Sequence, residues 1–139
     1  MSRSDYSYDF DSWALIRWRG AVASAIRGKR GQALFVEMKD ALDAMPIKEL
    51  IAEDLIRDGE VCALGCVGLA RGLDMTPLDP EDYDAVAAAF GLPEALVREI
   101  ESVNDNDYSY SKETPERRWT RVREWVARQI KTVEGARAL

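Results

Sequence analysis

The sequence predicts an all-α, single-domain bundle of about six helices. Apolar residues recur every three or four positions along several segments, which is the period of an amphipathic helix. Glycines and prolines fall between these segments, where they end one helix and begin the next. The run 59–72 is the longest nearly uncharged stretch, so we expect its helix, which contains glycines and cysteines, at the centre of the bundle. With 139 residues, 47% of them hydrophobic, the chain is large enough to form a core.

Two amphipathic segments open the predicted bundle. Asp11 or Ser12 offers an N-cap for a helix that runs to about residue 26, and Gly28 ends it. A second helix over residues 30–45 ends at Pro46, because the residue before a proline disfavours helical backbone. The buried faces are predicted from the apolar positions Leu15, Trp18, Val22, Ala25 and Ile26 in the first helix and Leu34, Phe35, Met38, Ala41, Leu42 and Met45 in the second.

Two further helices are predicted on either side of a turn at Asp58 and Gly59. Residues 47–57 have apolar side chains at helical spacing, although residues 47–51 also fit a short strand. Residues 61–70 are predicted to form a helix that includes Gly65 and Gly68, and each glycine costs about 1 kcal/mol relative to alanine. Because Gly65, Gly68 and Gly72 share one side of this helix, we expect another helix to approach that side closely.

Start and stop signals delimit the rest of the chain. Asp79 as N-cap and Pro80 in the first position predict a helix to about residue 90, and Gly91 ends it. A helix over residues 92–103 and a polar loop over residues 104–112 follow. Thr114 caps the last helix, which runs to about residue 131. We expect residues 1–11 to form an extended arm and residues 132–139 a loose tail.

The composition excludes several kinds of chemistry. The chain has no histidine, which removes the usual general base near pH 7 and the commonest metal ligand. Its two cysteines, Cys62 and Cys66, lie four positions apart in a predicted helix, which favours two buried thiols over a disulfide. We therefore expect no cofactor, no metal and no catalytic residues. An enzyme that uses carboxylates stays open as an alternative, because acidic residues are abundant. It is the least favoured one, because most acidic side chains of a helical protein are solvated.

No segment of the sequence indicates a membrane or export signal. Residues 1–10 are polar and acidic, and no apolar run approaches 18 residues. We therefore expect a cytoplasmic protein that does not bind membranes.

A helix-turn-helix spacing occurs in the acidic part of the chain. Ala87, Gly91 and Val97 match the small residue, turn glycine and buried β-branched residue of that motif. Residues 79–107, however, contain nine acids and a single base, Arg98, so these helices would be repelled by DNA. The spacing is better explained by two packed helices joined by a glycine turn.

Charge is divided along the chain, and this division suggests two binding surfaces. Residues 14–36 carry five basic residues and no acid, residues 37–107 carry 18 acids and five basic residues, and residues 108–139 have a net charge of +4. If the first and last helices pack together, with Trp18 near Trp125, their arginines form a basic face opposite an acidic one. The predicted acidic surface, which would bind a host protein, consists of Asp79, Glu81, Asp82, Asp84, Glu94, Glu99, Glu101, Asp105 and Asp107. The alternative is a DNA- or RNA-binding regulator that uses Arg17, Arg19, Arg27, Lys29, Arg30, Arg117, Arg121 and Arg128.

Five strings in the sequence resemble a group of short phage and prophage proteins of proteobacteria. They are WALIRWRGAVASAIRGKRGQALF at residues 13–35, GEVCALG at 59–65, DPEDYDAVAAAFG at 79–91, Asn104-Asp105, and TPERRW at 114–119. The resemblance implies that the protein is encoded in a phage or prophage genome. It provides no catalytic or binding residues that could be assigned to this sequence. In that setting the resemblance implies a non-enzymatic protein that binds a host protein, such as an anti-CRISPR-like inhibitor of host defence or a ligand of a nucleic-acid-handling factor.

Overall fold

The structure, a computed structural model, describes residues 12–105 and 113–131. These residues form six helices and one short hairpin, which confirms the predicted all-α class. The predicted arm, the predicted tail and most of the predicted polar loop lie outside the described residues. The elements, in chain order, are α1 (Ser12–Arg27), α2 (Lys29–Ala44), β1 (Ile56–Arg57), β2 (Glu60–Val61), α3 (Ala63–Ala70), α4 (Tyr83–Phe90), α5 (Glu94–Asp105) and α6 (Pro115–Gln129).

One apolar core is shared by all the helices of the described chain. Helix α2 packs against α3 and α6, while α5 packs against α1, α3 and α4. The central position of the helix that contains the glycines and cysteines is confirmed, because residues 63–68 of α3 are all buried. The largest fully buried apolar side chains are Phe35, Leu34, Met38, Leu42, Leu50, Leu64, Leu96, Ile100, Val22, Val67 and Val86.

The helix predicted over residues 47–57 is wrong. The backbone N–H groups of Leu50 and Ile51 donate to the carbonyls of Pro115 and Val61, at 3.1 and 2.9 Å, and so bind distant segments instead of a helical turn. Glu53 has a positive φ of 72°, which ends any helix at that point. The segment then enters the β1–β2 hairpin, where the predicted turn at 58–59 is confirmed with positive φ at both of its residues.

The two glycines of α3 are explained by close packing, but not against a helix as predicted. A Cβ atom on Gly65 would collide with the backbone carbonyl of Leu55, which belongs to the segment before β1. A Cβ atom on Gly68 would meet the side chain of Met75. The side of α3 that has no side chains is therefore covered by an irregular segment and by one flexible side chain.

The ends of the later helices follow their capping residues. Helix α4 begins at Tyr83 and not at residue 80, because Asp79 forms a turn with Glu81 and Asp82 takes over as N-cap. Gly91 ends α4 with a left-handed φ of 68°, as predicted. Thr114 caps α6 by accepting a hydrogen bond from the N–H of Arg117 at 3.2 Å, also as predicted.

The predicted contact between Trp18 and Trp125 is wrong, because each ring lies against a different helix. Trp125 packs edge-on against Phe35 of α2, with 5.4 Å between the ring centres. Trp18 lies 5.2 Å from the guanidinium of Arg98 in α5. The first and last helices therefore do not join through their tryptophans.

Candidate functional site: an apolar groove with an acidic rim

The nine acids of the predicted acidic surface separate into exposed and buried groups. Glu94 is half-buried and pairs with Arg98 at 3.0 Å, and Asp107 lies outside the described residues. Glu99, Glu101 and Asp105 of α5 are buried, so they add nothing to a surface that a partner reaches. The exposed members precede α4 or lie in its first turn, and they are Asp79, Glu81, Asp82 and Asp84.

The buried polar end of α5 connects separate parts of the fold. The side-chain amide of Asn104 accepts from the N–H of Ala63 at 3.0 Å and donates to the carbonyl of Ile51 at 2.9 Å. Asp105 accepts from the N–H of Glu53, the residue with positive φ, at 3.0 Å. These side chains hold the segment before β1 against α3, which is a structural task.

Two arginines of α6 cover the same end of α5. Arg121 donates to the carbonyl of Val103 at 2.6 Å, and Arg118 donates to the carbonyl of Asn104 at 3.0 Å. Glu113 holds both guanidinium groups, at 2.6 Å from Arg121 and 3.4 Å from Arg118. Positive charge at a helix C-terminus offsets the helix dipole, so Arg121, a predicted nucleic-acid contact, has a structural role.

The other predicted nucleic-acid contacts do not form one continuous face. Arg19 pairs with the buried Glu99 at 2.9 Å. Arg117 and Arg128 lie in the first and last turns of α6, at opposite ends of that helix. The exposed members that make no ion pair within the described residues are Arg17, Arg27, Lys29, Arg30, Arg117 and Arg128.

The helix-turn-helix spacing does not present a DNA-reading helix. Ala87 and Val97 are buried, and Gly91 makes the turn between α4 and α5. Every residue of α5 is buried or half-buried, so this helix has no exposed face to enter a DNA groove. Its single base, Arg98, is held between the rings of Trp18 and Tyr83, at 5.2 and 4.5 Å.

An apolar groove of about 500 Å³ opens beside α3, where Cys66, Leu69 and Ala70 line it. It lies between the end of α2, the β1–β2 hairpin, α3 and the start of α6. Two of its apolar side chains are strongly exposed, Ile47 at 65% and Leu69 at 50%, so the cavity is an open groove and not a closed pocket. Its apolar walls include Met45, Pro46, Ile47, Ile51, Leu69 and Pro115.

Three carboxylates, Glu49, Glu60 and Glu116, form an acidic rim along this groove. Glu49 and Glu60 line it, and Glu116 follows the lining residue Pro115. A hydrogen bond with Glu116, together with partial burial and the charges of Glu116 and Glu60, raises the pKa of Glu49. The pKa of Glu116 is lowered, first by a backbone hydrogen bond and then by the bond with Glu49. Glu49 therefore takes up a proton before Glu116 as the pH falls.

The groove also contains a thiol that is poorly suited to catalysis. Cys66 lines the groove, is 5% exposed and, like Cys62, forms no disulfide. Burial raises the pKa of the Cys66 thiol to about 11, against a smaller opposing effect of the Lys48 charge. The thiol is therefore almost entirely protonated at pH 7, which makes it a weak nucleophile.

No protein-family model, curated protein or solved structure matches this chain. The arrangement of its own residues is therefore the basis for any functional assignment. Among residues 12–105 and 113–131, no group of three or more histidine, cysteine or acidic side chains is placed to hold a metal ion. No helix within the same ranges is long and apolar enough to cross a membrane.

Sequence reasoning did not find the groove. Its acidic rim comes from residues 49, 60 and 116, which lie in three separate segments and share no motif. Ile47 was predicted to lie in a helix or a short strand, and the structure places it in an irregular segment, strongly exposed.

Proposed function

We propose that this chain is a non-enzymatic binding protein whose groove holds an apolar segment of another protein, with lysine or arginine residues beside that segment. The observation that carries the proposal is the open apolar groove with the acidic rim along it. Burying one large apolar side chain contributes about 1.5–3 kcal/mol to binding, while charge complementarity selects the partner and speeds its association.

The open shape of the groove favours a protein segment over a small molecule. Ile47 and Leu69 are at least half exposed and stand at the surface, where a partner covers them on binding. Exposed apolar residues beside charged ones are typical of protein interaction sites. Ile47 is not part of the core, and the neighbouring Leu50, Ile51 and Leu55 supply the core contacts of its segment.

The non-enzymatic part of the proposal rests on the groups that the groove offers. The sequence has no histidine, and the thiol of Cys66 is protonated at neutral pH. Glu49 is half-buried and Glu116 is exposed, so water screens the pair and neither carboxyl is in a desolvated site that favours general acid catalysis.

The resemblance to short phage proteins supplies the setting of the proposal. In a phage setting, the partner is a protein in the cytoplasm of the bacterial host. The chain then inhibits a host defence or acts on a factor that handles nucleic acids. The acidic rim fits such partners, because proteins that handle nucleic acids carry basic surfaces for phosphate.

A peptide-binding assay with matched variants tests the groove. We expect an amphipathic peptide of leucine and lysine to bind, and its leucine–glutamate and serine–lysine counterparts to bind at least ten-fold more weakly. Ile47→Asp is expected to lower the affinity at least ten-fold. Ile16→Asp is the control, because Ile16 is exposed to a similar degree, at 60% against 65% for Ile47, and lies on α1.

Affinity capture from a proteobacterial lysate identifies the natural partner. Wild type, Ile47→Asp and Ile16→Asp are used side by side, and the expected partner is lost only with Ile47→Asp. Equal binding of all three peptides, or equal loss of affinity in both variants, would contradict the proposal.

A further inference from the structure

Helices α2 and α6 run antiparallel, so the ends of this pair carry different groups. Near the groove, Asp43 of α2 pairs with Arg123 of α6 at 3.0 Å. At the other end, Gln32 in the first turn of α2 bonds to the backbone of Gln129, the last residue of α6, and of Lys131 just after it. Helix α2 has 16 residues and is about 24 Å long, so the groove and this second end lie on opposite sides of the molecule.

The side-chain amide of Gln32 joins three chain segments at this second end. Its nitrogen donates to the carbonyls of Ile26 and Gln129, at 2.7 and 3.0 Å. Its oxygen accepts from the N–H of Lys131 at 2.7 Å. The end of α1, the start of α2 and the end of α6 are thereby fixed beside one another, and their five exposed cations form what we call the basic end: Arg27, Lys29, Arg30, Arg128 and Lys131.

The basic end has little negative charge to offset it. Residues 14–36 and 125–131 contain no acid. The nearest acid in α6, Glu124, lies one turn before Arg128, and the two form no ion pair within the described residues. The C-termini of α1 and α6 and the N-terminus of α2 meet here, and their helix dipoles sum to roughly −0.5 charge. Five cations exceed that amount about ten-fold, so the end remains strongly positive.

The chemistry of the basic end fits phosphate groups on a nucleic acid better than a lipid surface. Three of its five cations are arginines, whose planar guanidinium groups bind phosphate oxygens in pairs. A helix that binds a membrane surface typically adds apolar side chains that enter the lipid. The strongly exposed large apolar residues of the described chain are Trp13, Leu15, Ile16, Val36, Ile47 and Leu69, and none belongs to the basic end.

We propose that the basic end binds the phosphate backbone of a nucleic acid, independently of the protein segment in the groove. The basic end contains fewer residues than the nucleic-acid-binding set that the sequence suggested. Arg19 and Arg121 are held in ion pairs, and Arg117 lies at the other end of α6. The molecule then holds a protein segment at one end and a nucleic acid at the other.

A salt titration of binding to labelled 20-base-pair DNA tests this site. Five phosphate contacts give a slope of about −4.5 for log affinity against log salt, so the affinity falls about 500-fold between 50 and 200 mM salt. We expect the double variant Arg30→Gln, Arg128→Gln to bind at least ten-fold more weakly at 50 mM salt and to reduce the slope by about 2. Arg117 is an exposed arginine of α6 outside the basic end, so Arg117→Gln is expected to change the affinity less than two-fold.

Four outcomes would overturn the proposal. The first is undetectable binding to both duplex and single-stranded DNA of this length at about 50 mM salt. The second is an Arg117→Gln variant that weakens DNA binding as much as the double variant does. The last two are loss of DNA binding in Ile47→Asp and binding of anionic vesicles in place of DNA. Loss in Ile47→Asp would show that the two ends do not act independently. Peptide binding by the double variant at wild-type affinity separates this test from that of the groove.

Discussion

The side-chain oxygen of Asn104 accepts a hydrogen bond from the backbone N–H of Ala63, 3.0 Å away and fully buried. Ala63 is the first residue of α3, and its N–H has no acceptor within that helix. The other side of the Asn104 amide donates to the carbonyl of Ile51. A single amide near the end of α5 therefore satisfies two buried backbone groups that lie 41 and 53 residues away along the chain.

Replacing Asn104 by alanine is expected to lower the free energy of unfolding by about 2–4 kcal/mol. The substitution leaves the N–H of Ala63 and the carbonyl of Ile51 buried without partners, and each such group costs about 1–3 kcal/mol. Urea denaturation followed by circular dichroism measures the change. Ser102→Ala, a half-buried position of the same helix, should stay within about 0.5 kcal/mol of wild type. A similarly small effect of Asn104→Ala would show that these bonds contribute little.

Alanine substitutions at Gly65 and Gly68 are expected to differ in their effect on stability. At Gly65 the added Cβ meets the backbone carbonyl of Leu55, which cannot move alone, so we expect a loss of more than about 2 kcal/mol. At Gly68 it meets the flexible side chain of Met75, and alanine gains about 1 kcal/mol in helix propensity, so the net change should be below about 1 kcal/mol. Thermal and urea unfolding of both variants decide the matter, and equal losses would contradict this explanation.

Glu113 is expected to make stability depend on pH in the acid range. Its hydrogen bond from Arg121, followed by the charges of Arg121 and Arg118, lowers its pKa from the ordinary value of 4.5. A lowered pKa in the folded state gives stability that is fully present above the unfolded-state pKa and is lost as the pH falls through the folded-state pKa.

Glu113→Gln should therefore unfold more easily at pH 7 by about 1–2 kcal/mol and show a flatter decline in stability below pH 4.5. Unfolding curves between pH 7 and 3 measure both effects. Glu124→Gln is the control, since Glu124 is exposed on α6, the helix that Glu113 precedes, and makes no ion pair within the described residues. Parallel pH profiles for wild type and Glu113→Gln would count against the ion pair.

Binding of a leucine–lysine peptide to the groove is expected to weaken as the pH falls toward the raised pKa of Glu49, which lies above the ordinary value of 4.5. Because its pKa is raised while that of Glu116 is lowered, Glu49 loses its charge before Glu116, and part of the attraction for lysine is then lost. Glu49→Gln should bind more weakly at pH 7 and lose less affinity on acidification. Titrations at pH 7, 6 and 5 test this, with Asp84→Gln as an exposed acid outside the groove. If Asp84→Gln matched Glu49→Gln, the effect would reflect net charge and not the rim.

Local signals were sufficient for most helices. Thr114 and Pro115 mark the start of α6 and Gly91 marks the end of α4, because capping and left-handed backbone depend on residues within one turn. The same signals failed over residues 47–57. Their apolar spacing fits a helix and an irregular buried segment equally well. The irregular segment forms because Leu50 and Ile51 bond to Pro115 and Val61.

The sequence by itself determined the all-α class, the central place of α3, two buried cysteines that form no disulfide, and the lack of histidine. Those features depend on composition and on neighbours along the chain. Only the tertiary structure placed Glu49, Glu60 and Glu116 along one groove and the basic end around Gln32. It also buried Asp105 and bonded Arg121 to the end of α5. The physical reason is that exposure and charge pairing depend on which helices meet, and residues such as 32 and 129 meet through packing that no short stretch of sequence encodes.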